Sequence, residues 1–209
     1  MWPWEHAIVG YLTYSLFCHA YYRDSPGGLE AFAVVFASVL PDIIDKPLAW
    51  EFGVFETGYA LGHSIFFAGP LAIVVGLLAR SWGRQRAGIA FGLGYLLHLP
   101  ADIVDGYVRG GYLEFGIVLW PVRPIETPPT HSHEGFLAEF VRLFAGYQEQ
   151  LLAGDLSTYL WLQLGVGVLT ALLWLSDGAP VLRECLLGCK RLLGSLGASV
   201  RGLREGQNR

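Results

Sequence analysis

The 209 residues are enough for one domain with a sizeable core, and 53% are apolar while 15% are charged, against roughly a quarter in soluble domains. A mean hydropathy of +0.43 suits lipid as a solvent better than water. A formal net charge of −4 leaves no broad cationic face, so nucleic acid is not an expected partner. Three cysteines, Cys18, Cys185 and Cys189, form no C-x-x-C pair, which argues against a disulfide framework or a thiolate zinc site.

In chain order, the apolar stretches predict an all-α polytopic membrane bundle of five helices, at about 5–22, 28–42, 60–80, 86–105 and 157–176. The clearest is Ser157–Leu175, 19 residues without a charge, close to the ~20 that a spanning helix needs. The opening Met-Trp-Pro-Trp-Glu-His has neither the basic stretch nor the cleavage site of a signal peptide, so the first helix is expected to stay in the mature chain.

Lys and Arg set the orientation. With the N-terminus outside, the inner segments hold Arg23, Arg80, Arg84, Arg86, Arg183, Lys190, Arg191, Arg201, Arg204 and Arg209, which is ten of the fourteen basic residues. Lys46, Arg109, Arg123 and Arg142 fall outside. The expectation is therefore N-out, C-in, multi-pass in the cell membrane. Residues 1–178 form the membrane-embedded domain, and residues 179–209 form a cytoplasmic amphipathic basic tail.

The long outer segment, 106–156, begins with a Gly- and Pro-rich half. In its second half Phe136, Leu137, Phe140, Phe144, Tyr147 and Leu151 recur at helical spacing. That pattern fits an interfacial helix on the bilayer, or a cover over a site below it. In the tail, Leu182, Cys185 or Leu186, Cys189, Leu192 or Leu193, and Leu196 share a face between basic residues, as expected of a helix on the inner leaflet.

The ionisable residues near the spans are not scattered. His6 opens helix 1, Asp42 and Asp45 close helix 2, His63 opens helix 3, and His98, Asp102 and Asp105 close helix 4. Alternating helix directions bring all of them to the outward side. Asp42 lies 13 residues from Leu29 and His98 lies 12 from Arg86. Each is therefore ~18–20 Å from the inner surface, within a hydrocarbon core ~30 Å thick. Carboxylates at that depth are costly unless paired, hydrated or bound to a cation.

His98 and Asp102 are four apart and share a helix face; Asp105 follows three residues later. Pro41 and Pro100 predict a kink or break beside the acids. Imidazole and carboxylate donors without thiolates suit a divalent metal, zinc first, with manganese or iron as alternatives, as one or two ions. Asp105 also reads as a helix-end charge. His131 and His133 read as a solvated loop or as ligands folding over the site, and His19, toward the inner end, reads as structural.

Four motifs in order, each on its own helix, carry a resemblance: His6 with Gly10 after it, Leu-Pro-Asp-Ile-Ile-Asp at 40–45, Gly62-His63-Ser64, and His98-x-x-x-Asp102. Over its first half the chain resembles the prokaryotic membrane-bound, predicted metal-dependent hydrolases, one bacterial branch of which is LexA-regulated. That group is in turn similar to zinc-dependent phospholipase C and related single-strand nucleases. The resemblance implies His6, Asp42 or Asp45, His63, His98 and Asp102 as metal ligands, with either Asp42 or Asp45 bridging or acting as base. Tyr59-Ala60-Leu61 stands where such members often carry an Arg and a Thr, so no Arg is assigned to the substrate anion.

The leading functional expectation is hydrolysis of a phosphoester by metal-activated water, on an amphiphilic, lipid-like substrate. An ion or metal transporter is the competitor, disfavoured because the inner halves of the helices read as bare. A membrane scaffold with a structural metal is the third reading.

Overall fold

Uncharged or sparsely charged segments without competing turn residues satisfy their backbone groups internally by forming helices, and among the described residues every regular element is helical. A computed structural model describes residues 1–111, 113–123, 135–153 and 157–190. Its long helices are α1 (Pro3–Phe17), α2 (Gly28–Trp50), α3 (Ile65–Ser81), α4 (Gln85–Gly110), α5 (Phe136–Leu152) and α6 (Thr158–Ser176). A π-helical turn, Cys18–Tyr22, ends α1; a 3₁₀ turn, Phe115–Val118, follows α4. Residues 182–190 are helical as well.

The boundaries differ from the expected ones where local signals were outweighed. α2 continues through Pro41 and Pro47 to Trp50 instead of closing at 42. α4 runs through Pro100 to Gly110. A proline removes one N–H and crowds the preceding turn, but packing on both sides keeps the helix going. α3 starts at Ile65, not 60, because Ser64 caps it: its hydroxyl accepts from the Phe66 N–H. Residues 60–64 are thereby left as an irregular segment.

α4 and α6 are long and apolar enough to cross a membrane; α3 is apolar but has 17 residues. α2 has the length but carries Glu30, Asp42, Asp45 and Lys46.

α2 and α4 make the most extensive pairing, and α3 and α1 pack on that pair. Small residues make the contact: Ala31, Ala37, Ala68 and Ala90 are buried. At Gly94 a Cβ would stand 2.3 Å from the Val34 carbonyl oxygen, so only glycine allows this approach. Many large apolar side chains stay outside. Leu162, Leu169 and Leu172 of α6, Ile73 and Leu77 of α3, and Phe32 of α2 are each more than half exposed. Small inside and large outside is the packing of helices whose solvent is lipid.

The end of the bundle opposite the acids, expected from the sequence to be bare, carries polar groups of its own. Tyr11, Ser15 and His19 converge on Asp177 at 2.7 Å each, tying α1 to the end of α6. Burial pushes the Asp177 carboxyl up, but hydrogen bonds from Ser15, Tyr11 and His19 outweigh it and hold it below the ordinary value. Nearby, Arg86 pairs with Glu30 at 3.1 Å and with Asp24 at 3.2 Å. Between these groups and the outer acids, α2 and α4 bury Ala31, Val34, Ala37, Ala90 and Phe91.

α5 is helical where the apolar spacing predicted a helix. It lies against the start of α1, where Phe144 meets Trp2 and Trp4 edge-on with ring centroids 6.2 Å apart. The 182–190 helix docks through Glu184, whose carboxylate accepts from the Gly28 N–H at 3.1 Å.

Candidate metal centre

Each side chain of the cluster is placed by its backbone element. Asp42 sits one turn after Ser38 on α2, while His98 and Asp102 lie one turn apart on α4, facing it. His63 comes from the irregular segment before α3, and that segment is held by Asp45. The Asp45 carboxylate accepts from the N–H groups of Ala60 (2.7 Å), Gly62 (2.8 Å) and His63 (3.1 Å), and from His63 Nδ1 (2.8 Å). Gly62 is needed here, since a Cβ would come 2.9 Å from the Pro41 carbonyl oxygen. Tyr95 donates its hydroxyl to the Gly62 carbonyl at 2.7 Å and fixes the segment from the α4 side.

One donor atom from each of Asp42, His63, His98 and Asp102 lies within 4.8 Å of the other three, and all four residues are buried. His63 Nε2 is 3.4 Å from Asp42 Oδ1 and 3.3 Å from Asp102 Oδ2. His98 Nε2 is 3.2 Å from Asp102 Oδ2, 3.9 Å from Asp42 Oδ1 and 3.0 Å from His63 Nε2.

The tautomers follow from the far side of each ring. His98 Nδ1 lies 2.6 Å from the Ser38 carbonyl oxygen, which can only accept, so Nδ1 carries the proton. His63 Nδ1 faces the Asp45 carboxylate and carries its proton for the same reason. In both neutral rings Nε2 is then a bare lone pair. With both rings neutral, two nitrogen lone pairs and two carboxylate oxygens converge there. Asp42 Oδ1 and Oδ2 and Asp102 Oδ2 make no hydrogen bond of good geometry. Such a buried N₂O₂ set, with both imidazoles braced from behind, could hold a metal ion.

The remaining expected residues sit around this core. His6 stacks on the His98 ring at 3.7 Å between centroids, with Nε2 3.2 Å from Asp102 Oδ1 and neither ring nitrogen hydrogen-bonded. It borders the four without joining them. Asp45 stands one step out and acts through His63. Asp105 turns away, accepting from the Tyr159 hydroxyl at 2.7 Å and from Arg109 Nε at 2.9 Å. The Met1 ammonium contacts Asp102 at 2.8 Å and Asp105 at 3.1 Å. His131 and His133 lie outside the described residues.

Two features escaped the sequence reading. Lys46 Nζ reaches Asp42 Oδ1 at 2.7 Å. The pair is an i, i+4 step on one helix, visible only once α2 is known to continue past residue 42. The buried Glu5 receives the Trp2 N–H at 2.7 Å, Gln163 of α6 also donates to it, and the Tyr159 hydroxyl oxygen lies 3.2 Å away. A separation of more than 150 residues leaves no local signal for that contact.

Above the cluster a cavity of about 800 Å³ opens beneath α5. Its walls include Trp2, Trp4, Trp50, Phe136 and Phe140, and Asp42, Lys46 and Tyr59 also border it. The size is that of a small-molecule site.

No curated protein and no solved structure matches the chain. A family model does, over residues 1–179, a stretch that includes every residue of the cluster. The chain therefore belongs to the YdjM inner membrane protein family.

Proposed function

We propose that this chain is a membrane-bound metal-dependent hydrolase that cleaves a phosphoester in an amphiphilic substrate. The observation that carries the reading is the convergence of Asp42, His63, His98 and Asp102 as buried acceptors at one border of an apolar cavity. A divalent ion in that site, zinc by its donor set, would supply activated water near neutral pH and polarise a phosphoryl oxygen. His63, His98 and Asp102 hold the ion; His6 stacks on His98 and fixes its plane. Asp42 is the ligand that also borders the cavity, so it stands where substrate and water meet. Asp45 aims His63. The aromatic walls under α5 take the hydrocarbon part of the substrate and keep bulk water away.

In this reading the chain crosses the bilayer five times, N-out and C-in, with the cluster in the outer leaflet and residues 179–209 on the cytoplasmic face. The bilayer itself is then a partner, and the substrate arrives from it. A scaffold with a structural metal is the second reading, favoured by the burial of all four ligands, since structural sites leave no open position.

The test is metal analysis of the purified protein beside hydrolysis of phosphoester and phospholipid substrates, for wild type, His98→Ala and Asp102→Ala. The expected result is about one or two divalent ions per wild-type chain and hydrolysis that disappears with the metal in both variants. Metal without hydrolysis of any substrate leaves the structural reading; no metal in wild type removes both.

A further inference from the structure

Three basic side chains border the cavity: Lys46, Arg109 and Arg142. Arg109 is engaged by Asp105 at 2.9 Å and by the Tyr159 hydroxyl at 3.0 Å, and Arg142 by Glu139. Lys46 differs in what it pairs with. Its ammonium contacts Asp42, a member of the four-ligand cluster, at 2.7 Å, while its side chain retains 16% exposure toward the cavity. Its stem runs beside Trp50, with Nζ 5.9 Å from the ring centroid. The Met1 ammonium, also at the cavity, contacts Asp102 at 2.8 Å; among the described residues lining the cavity, Lys46 is the basic side chain that touches a member of the cluster.

We propose that Lys46 is the oxyanion-binding residue of this site, receiving the phosphate oxygens of an amphiphilic anion whose hydrocarbon tail lies along the aromatic walls beneath α5. The inference rests on the metal-site reading above. Asp42 has one negative charge to offer, and Lys46 and a cation in the cluster both draw on it. Once the Asp42 oxygen is drawn to a metal, the Lys46 ammonium loses part of its partner at the border of an apolar cavity. A partly buried ammonium at the edge of an apolar cavity seeks another acceptor, and an anionic headgroup beside the cluster is placed to be it. Trp2, Trp4 and Trp50 line the same space, so a tail entering it changes indole surroundings and gives a direct readout.

The residue is a positioning and specificity group, and its signature is a split between metal binding and anion binding. The full chain in zwitterionic nanodiscs is compared as wild type, Lys46→Met and Lys46→Arg. Zinc content and affinity are measured, together with tryptophan-fluorescence titrations of octyl phosphate, inorganic phosphate and octyl glucoside. Wild type and both variants are expected to hold zinc, and Lys46→Met at least as tightly as wild type because the competing ammonium is gone. Octyl phosphate binding falls about tenfold or more in Lys46→Met, recovers in Lys46→Arg, and octyl glucoside is unchanged throughout. Inorganic phosphate binds more weakly than octyl phosphate, since the tail contacts are missing. A Lys46→Met protein that holds zinc and binds octyl phosphate like wild type overturns the assignment. Equal binding of octyl and inorganic phosphate overturns the amphiphilic part. Absence of zinc from every form, wild type included, removes the metal reading and this inference with it.

Discussion

Two aspartates three residues apart on α2 do different work, and the reason is where their oxygens end. Asp45 has four N–H groups aimed at its two oxygens, so its charge is spent on folding the 60–63 segment and orienting His63. Asp42 has no hydrogen bond of good geometry and lies in the cluster. Asp45→Asn leaves every candidate ligand in place but puts an amide NH₂ against backbone N–H donors. It is expected to cost about 1–3 kcal/mol of stability and about 10–100-fold in metal affinity. Thermal melts and zinc titration of the variant check this; unchanged affinity would mean that His63 needs no brace. The spacing of Leu-Pro-Asp-Ile-Ile-Asp places both acids near one helix face, so the sequence could nominate the pair but not divide the roles. That division depends on a segment 15–18 residues away folding back onto one of them.

At the scale of elements, the α2–α4 contact sets the site. The closeness that puts the Ser38 carbonyl 2.6 Å from His98 Nδ1 depends on Gly94, one turn before His98. Gly94→Ala forces a Cβ against the Val34 backbone, so the helices must part. A loss of about 1–3 kcal/mol is expected, with a lower thermal midpoint and weaker metal binding. Gly92→Ala is the control, because its nearest neighbour would be the Ala72 Cβ at 3.8 Å, an ordinary contact. Equal effects at the two positions would show that α4 tolerates separation from α2. The helices themselves were legible as apolar runs. The continuation of α2 past residue 42, through Pro47 to Trp50, was not, because proline's local cost is visible in sequence while the neighbouring helices that outweigh it are not.

For the molecule as described, alanines and glycines pack at the helix contacts while many leucines and phenylalanines face out, as expected of a protein dissolved in lipid. The asymmetry of Lys and Arg then orients the bundle, and the cysteines offer a direct check. Cys185 and Cys189 are exposed on the 182–190 helix, whereas Cys18 is buried. A membrane-impermeant maleimide should label the chain in inverted membrane vesicles and leave it unlabelled in intact spheroplasts. Labelling confined to spheroplasts would reverse the proposed topology and move the metal cluster to the cytoplasmic side.

Composition, apolar periodicity and charge placement determined that this is a helical membrane chain, and they marked out His6, Asp42, Asp45, His63, His98 and Asp102, because lipid admits ionisable groups only at a cost that narrows the choice of positions. Tertiary structure decided which of those groups share one pocket, which merely brace them, and that Lys46 and an aromatic cavity stand beside them. Those decisions rest on contacts between residues distant in the chain, where a few tenths of an ångström separate a ligand from a neighbour and no local pattern records the distance.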